Sequence, residues 1–202
     1  MSGAGSVVGG GLSARVFTAW ADMRASMRWV LARRPDETQI LVMVLVSGLL
    51  VYLSILAQQT LAPAQAGADP AAMQVTLLSG LVFSTLFWML LVYLAALFAH
   101  LLARLFGGKG SGADSRAAMA WCLLVVMPPA LVATIAAMLA TPYLPLVLTD
   151  MLKSLGFLAF VYAIGQCFAE AHGFRNGLVI SSLVLVPILG AIAFTVLSGA
   201  GI

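Results

Sequence analysis

RRPDETQILVMVLVSGLLVYLSILA, residues 33–57, decides the fold. Two arginines, a proline and two acids come first, and residues 40–57 then run for 18 positions without a charge. At ~1.5 Å per residue a helix of that length covers ~27 Å, close to the ~30 Å of a hydrocarbon layer once the ends snorkel. Four further apolar stretches follow, at about 76–102, 117–140, 146–169 and 178–197. Barrel strands would alternate over ~10 residues, whereas these runs are continuously apolar, so helix is the element that satisfies their backbone in lipid. The expected fold is all-α: a polytopic integral membrane bundle of five transmembrane helices, preceded by an N-terminal amphipathic interfacial helix.

Charge placement orients the bundle. Nine of the ten Lys and Arg residues lie on alternate connections: Arg15, Arg24, Arg28, Arg33 and Arg34 before the first span, Arg104, Lys109 and Arg116 between the second and third, and Arg175 between the fourth and fifth. Cationic side chains resist translocation, which places those connections in the cytoplasm, the amino end inside and the carboxyl end outside. The tenth cation, Lys153, sits about one helical turn from Asp150 at the outer end of the fourth span, where the two can pair as an interfacial anchor.

Composition excludes several classes. The chain has 202 residues, 62% hydrophobic and 8% charged, against ~25% charged in soluble domains. The spans leave a 39-residue arm and short connections, with no room for a separate catalytic domain. The formal charge of +3 lies along one membrane face among Asp22, Asp36 and Glu37, so nucleic acid is not an expected partner. Cys122 and Cys167 fall within spans and read as apolar filler; no metal site or cofactor is expected. No cationic stretch with a short apolar core precedes residue 40, so the first span reads as a retained anchor.

Three regions follow. Residues 1–12 form a Gly- and Ala-rich flexible tail, residues 13–34 an amphipathic juxtamembrane helix, and residues 35–202 the five-helix domain. In the arm, Val16, Trp20, Met23, Met27, Val30 and Leu31 recur at helical spacing, Ser13 is a candidate N-cap and Pro35 ends the pattern. The arm is expected to lie along the cytoplasmic leaflet, with Trp20 at headgroup depth and Arg15, Arg24, Arg28, Arg33 and Arg34 meeting anionic lipid. The alternative is a helix packed under the bundle with the same stripe facing protein.

Chemistry has few places to sit. His100, Glu170 and His172 are the groups best suited to proton transfer, all at cytoplasmic helix ends, and a membrane enzyme would require them to converge. The Gly-Gly-Lys-Gly-Ser-Gly run lacks the Ser or Thr directly after lysine that a phosphate loop needs. Gly156, Ala159, Ala163 and Gln166 mark one face of the fourth span for close helix packing, with Gly80 and Ser84 a weaker pair. Pro128, Pro129 and Pro187 remove amide donors within spans and bend or shape the bundle.

The run Gly107-Gly108-Lys109-Gly110-Ser111, followed by Ala120-Trp121-Cys122-Leu123 and Pro128, resembles the Ypt-interacting-protein (Yip) family. Ala169-Glu170-Ala171-His172-Gly173-Phe174 is similar to its bacterial members, and Arg34-Pro35-Asp36-Glu37-Thr38 extends the likeness. The resemblance implies five spans with a cytoplasmic amino end in a bacterial inner membrane, and a structural role for Gly107, Gly108, Lys109, Gly110 and Pro128. Eukaryotic relatives act in vesicle traffic and bind Rab-type GTPases; this chain has Arg33-Arg34-Pro35-Asp36 where they carry Asp-Leu-x-Gly-Pro. The expected function is a non-enzymatic scaffold or adaptor that organises lipid or partner membrane proteins, with a membrane-protein partner or homo-oligomer and anionic lipid at the cytoplasmic face. The alternative is a small transporter, channel or lipid-translocating protein built on the proline-kinked helices.

Overall fold

A computed structural model describes residues 12–61, 70–140, 143, 145–177 and 180–181, and over these the regular structure is helical. The arm folds as two helices, α1 (Leu12–Thr18) and α2 (Met23–Arg33), where the sequence reading draws one over 13–34. Asp22 separates them because its carboxylate caps α2, accepting from the Ala25 amide at 2.8 Å. Arg34 ends α2 in the left-handed region, and Asp36 caps α3 (Glu37–Leu61) by accepting from the Gln39 amide at 2.7 Å. Next come α4 (Pro70–Val82), a π-helical turn (Phe83–Phe87) and α5 (Trp88–Leu105), which form one rod. Two long helices complete the order, α6 (Gly112–Ala140) and α7 (Leu146–His172).

Among the described residues three helical stretches are long and apolar enough to cross a membrane: Glu37–Thr60, Ala71–Leu105 and Gly112–Ala140. They contain the spans expected at 40–57, 76–102 and 117–140, and the one expected at 146–169 falls inside α7. The span expected at 178–197, with Pro187, falls outside the described residues apart from a helical start at Gly177, Ile180 and Ser181. Residues 1–11 of the expected tail and the side chains of Asp150 and Lys153 also lie outside them.

The bundle is built around α6, which packs against α3, α5 and α7. Its side chains are buried without interruption from Ala117 to Val126, and the helix continues through Pro128 and Pro129. The outer faces are apolar instead: Leu86, Leu90, Leu94, Leu97 and Leu101 all stand exposed. That distribution suits a hydrocarbon solvent, in which exposing leucine carries no cost.

Close approach occurs at glycines that the expected stripe did not include. A Cβ on Gly48 of α3 would overlap the Ser84 carbonyl oxygen, and beside it the Trp88 indole donates to Ser47 Oγ at 2.9 Å. On α7 a Cβ on Gly165 would overlap Ser181 Oγ and lie 2.7 Å from the Gly177 oxygen. Ala163 and Gln166 are both buried, and Gln166 lies against Gly177. Nothing lies within 4 Å of a Cβ built on Gly156, and Ala159 is half-buried. Gly165→Ala is therefore expected to destabilise by about 1–3 kcal/mol through overpacking, while Gly156→Ala, with open space inside α7, is expected to be neutral or to stabilise by up to about 1 kcal/mol. Paired melting curves in one detergent check this, and equal shifts would refute the seam.

Candidate functional site: the basic end of the bundle

One end of the bundle gathers the start of α3, the end of α5, the start of α6 and the end of α7. Among the described residues the ion pairs gather there, where helix termini leave carbonyls or amides unpaired and these need partners. The end of α7 shows how. Gly173 takes φ 73°, so that Phe174 N–H donates to Ala169 O at 2.8 Å and reverses the chain. Glu170 lies in the last turn, where the helix dipole disfavours a carboxylate. Arg24 on α2 answers both problems. Its Nε donates to Glu170 Oε2 at 2.9 Å, its Nη1 to Arg175 O and its Nη2 to Phe174 O, both at 3.0 Å. Arg28 adds a second contact to Glu170 at 3.3 Å.

This clamp docks the arm. Met23, Met27 and Val30 are buried in the main core, and the Trp121 indole on α6 donates to Ser26 Oγ at 3.1 Å. The apolar stripe of α2 thus faces protein, the alternative weighed for it from sequence. The residues expected to meet lipid divide accordingly. Arg24 and Arg28 are engaged by Glu170. The guanidinium carbons of Arg15 and Arg33 lie 4.2 and 3.8 Å from the Trp29 ring centroid, and among the described residues neither forms an ion pair. Arg34 is exposed at the α2 C-cap, and Trp20 is exposed beside Phe17.

The glycine run closes the same end. Gly107 takes φ 84° after α5, and Gly108 N–H returns to Ala103 O at 2.8 Å. Lys109 N–H then donates to His172 O at 3.0 Å, meeting another open carbonyl of α7, while the lysine side chain stays exposed. A Cβ on Gly108 would lie 2.9 Å from His172 Nδ1, and one on Gly110 would overlap Ala171 O, so only glycine lets the loop sit this close. Ser111 and Asp114 form a reciprocal capping box that opens α6 five residues before the expected 117: Asp114 N–H donates to Ser111 Oγ at 3.1 Å and Ser111 N–H to Asp114 Oδ2 at 2.8 Å.

Beneath the loop, His100 and His172 meet around Ser115. His100 Nδ1 is 3.1 Å and His172 Nε2 2.9 Å from Ser115 Oγ, which also contacts Ser111 O at 3.1 Å. Two of the three groups considered for proton chemistry therefore converge, while Glu170 turns away to the arm. Ser115 is fully buried and its hydroxyl is saturated by these partners, an arrangement that packs and leaves no face for a substrate. Among the described residues no group of three or more His, Cys, Asp or Glu could hold a metal. Ser115 was not singled out from sequence; its position four residues after the α6 N-cap is the one available signal.

These features define a helical membrane protein whose polar architecture is gathered at one end around a docked arm and a glycine loop. The chain belongs to the Yip1 domain family, whose model matches residues 17–197. No curated protein and no solved structure matches the chain.

Two outcomes are expected. Arg24→Ala removes three charge-assisted hydrogen bonds and should release the arm, so that trypsin cuts at Arg28 and Arg33 about tenfold faster in detergent, matching a loss of ~1.5 kcal/mol or more. An unchanged cleavage rate would deny the clamp. Burial pushes the His172 imidazole below its ordinary 6.5, and His100 and Arg104 push the same way against Asp114. Among the described residues its Nδ1 has no hydrogen-bond partner, and it faces Gly108 and Gly110, with Phe168 and Phe174 against the ring. The folded chain therefore binds fewer protons than the unfolded chain just below pH 6.5, so stability falls as pH drops through that interval. Melting temperature should decline from pH 7.5 to 5.5, and His172→Gln should flatten the decline; equal slopes in both proteins would exclude His172 as its source.

Proposed function

We propose that this chain is a non-enzymatic membrane scaffold or adaptor of the Yip type, with five spans, the amino end in the cytoplasm and the carboxyl end in the periplasm of a bacterial inner membrane. It organises anionic lipid and a partner membrane protein, or a second copy of itself, through its basic end. The observation that carries the reading is the docked arm. Arg24 and Arg28 pair with Glu170 and fix α2 to α7, while Arg15 and Arg33 lie against the Trp29 ring and Arg34 stands exposed on the same platform. A rigid basic plate beside apolar outer helix faces is suited to holding neighbours and headgroups. The buried, saturated Ser115 trio supports a structural role for the histidines.

Reconstitution separates this reading from transport. Purified protein in proteoliposomes is expected to leave solute flux and lipid scrambling at the level of empty vesicles, while crosslinking in cells yields a discrete adduct with a second copy or another membrane protein. Scrambling or flux that Pro187→Ala abolishes, without such an adduct, would hand the function to the proline-kinked helices. Reporter fusions at residues 107–116 are expected to read as cytoplasmic, and a periplasmic reading would reverse the orientation.

A further inference from the structure

Between the arm and the start of α3 lies a cleft of about 570 Å³. Its inner wall is aromatic, formed by Trp29 and Trp121 at 6.0 Å between ring centroids. Its rim carries Arg33, Thr38 and Gln39, and its outer wall Val42 and Met43. Arg33 is the one charged side chain among the residues that line the cleft. Asp36 is occupied in capping α3, and Asp22 in capping α2. The Arg33 guanidinium carbon lies 3.8 Å from the Trp29 ring centroid while the residue stays exposed, so its N–H donors are open to a ligand. Arg15 lies over the same ring and reinforces the positive field without entering the cleft.

We propose that this cleft binds the phosphate-bearing headgroup of an anionic phospholipid, with Arg33 as its principal contact and α3 as the track for an acyl chain. The site rests on the reading above that the basic end meets anionic lipid, and it names the residues that do so. Charge complementarity selects the headgroup. Continuity selects a lipid over a free anion, because the outer wall leads directly onto Val42, Val46, Leu49 and Leu53, which stand 54%, 38%, 41% and 44% exposed. Their spacings of four, three and four put them on one face of α3, over a rise of ~16 Å that accommodates most of an acyl chain. Thr38 and Gln39, exposed at the rim, offer further hydrogen-bond donors to phosphate or glycerol oxygens.

Native mass spectrometry of the full chain in a neutral detergent tests this, by titration with dioleoyl phosphatidylglycerol, dioleoyl phosphatidylcholine and glycerol 3-phosphate. Arg33→Gln is expected to weaken phosphatidylglycerol about fivefold, from the usual contribution of one cation near an anionic surface, and Arg15→Gln, outside the cleft, to weaken it less than Arg33→Gln does. Phosphatidylcholine should be unaffected, and Lys109→Gln, an exposed cation at the same end, should change phosphatidylglycerol binding less than twofold. Thr38→Glu should lower it as Arg33→Gln does, yet favours the first turn of α3, so it serves if the arginine variants do not fold. Equal affinity in parent and site variants would overturn the proposal, as would an equal loss in Lys109→Gln, which would mean a diffuse charge effect. Glycerol 3-phosphate binding as tightly as the lipid would overturn it too, by making the cleft an anion site alone. Crosslinking and vesicle flux do not depend on this headgroup contact, so a failure here is distinguishable from failure of the scaffold reading.

Discussion

The carbonyl end of α7 is the negative pole on which the rest of this molecule is assembled. A helix of 27 residues ends there with open carbonyls, and Glu170 adds a full charge where the dipole already opposes it. In water such an end would simply be solvated. At the edge of a bundle this apolar it collects whatever donors the chain can bring. Arg24 and Arg28 arrive from the arm, Lys109 N–H from the glycine loop, and the turn at Gly173 supplies the rest. Docking of the arm, closure of the loop and burial of His172 are thus three responses to one electrostatic demand.

Away from that pole, contact geometry replaces charge. Gly48 lets α3 meet the Ser84 backbone, and Gly165 lets α7 meet the residues at 177 and 181. The polar groups that do enter the bundle are satisfied locally: Ser47 joins Trp88 to the Val44 carbonyl, and Ser84 returns to Leu81 O. Glu37, at the first turn of α3, is held by Arg116 at 3.0 Å and by the Tyr93 hydroxyl, tying α3, α5 and α6 together at the basic end.

Apolar runs and their charged borders made most of the helices legible, because hydropathy over ~20 residues is a strong signal. The ends were less so: α6 begins at Gly112 because of the Ser111–Asp114 box, a short pattern masked by the glycine run beside it. The arm's stripe of Met23, Met27 and Val30 was readable, but its environment was not, since the same periodicity fits lipid and protein equally. Its deciding partner, Glu170, is 146 residues away. Likewise the glycine run was recognisable by resemblance, while the reason for its glycines lies on α7, in the Ala171 and His172 atoms that a methyl group would strike. Gly165 escaped notice because close approach depends on the neighbour's height along the helix, which spacing alone does not encode.

The π-helical turn at Phe83–Phe87 carries a last consequence. One wider turn within a continuous rod acts as a phase shift, rotating everything beyond it by about one residue's worth of azimuth relative to an unbroken α-helix. Ser84, inside the turn, abuts Gly48, and Trp88, just after it, reaches Ser47, whereas the segment before the turn meets Ile55 and Tyr52 through Gly80. The shift therefore keeps Gly80, Ser84 and Trp88, spaced by four, together on the side of the rod that meets α3. A helix of uniform pitch would let that row drift by about 80° over the same eight residues.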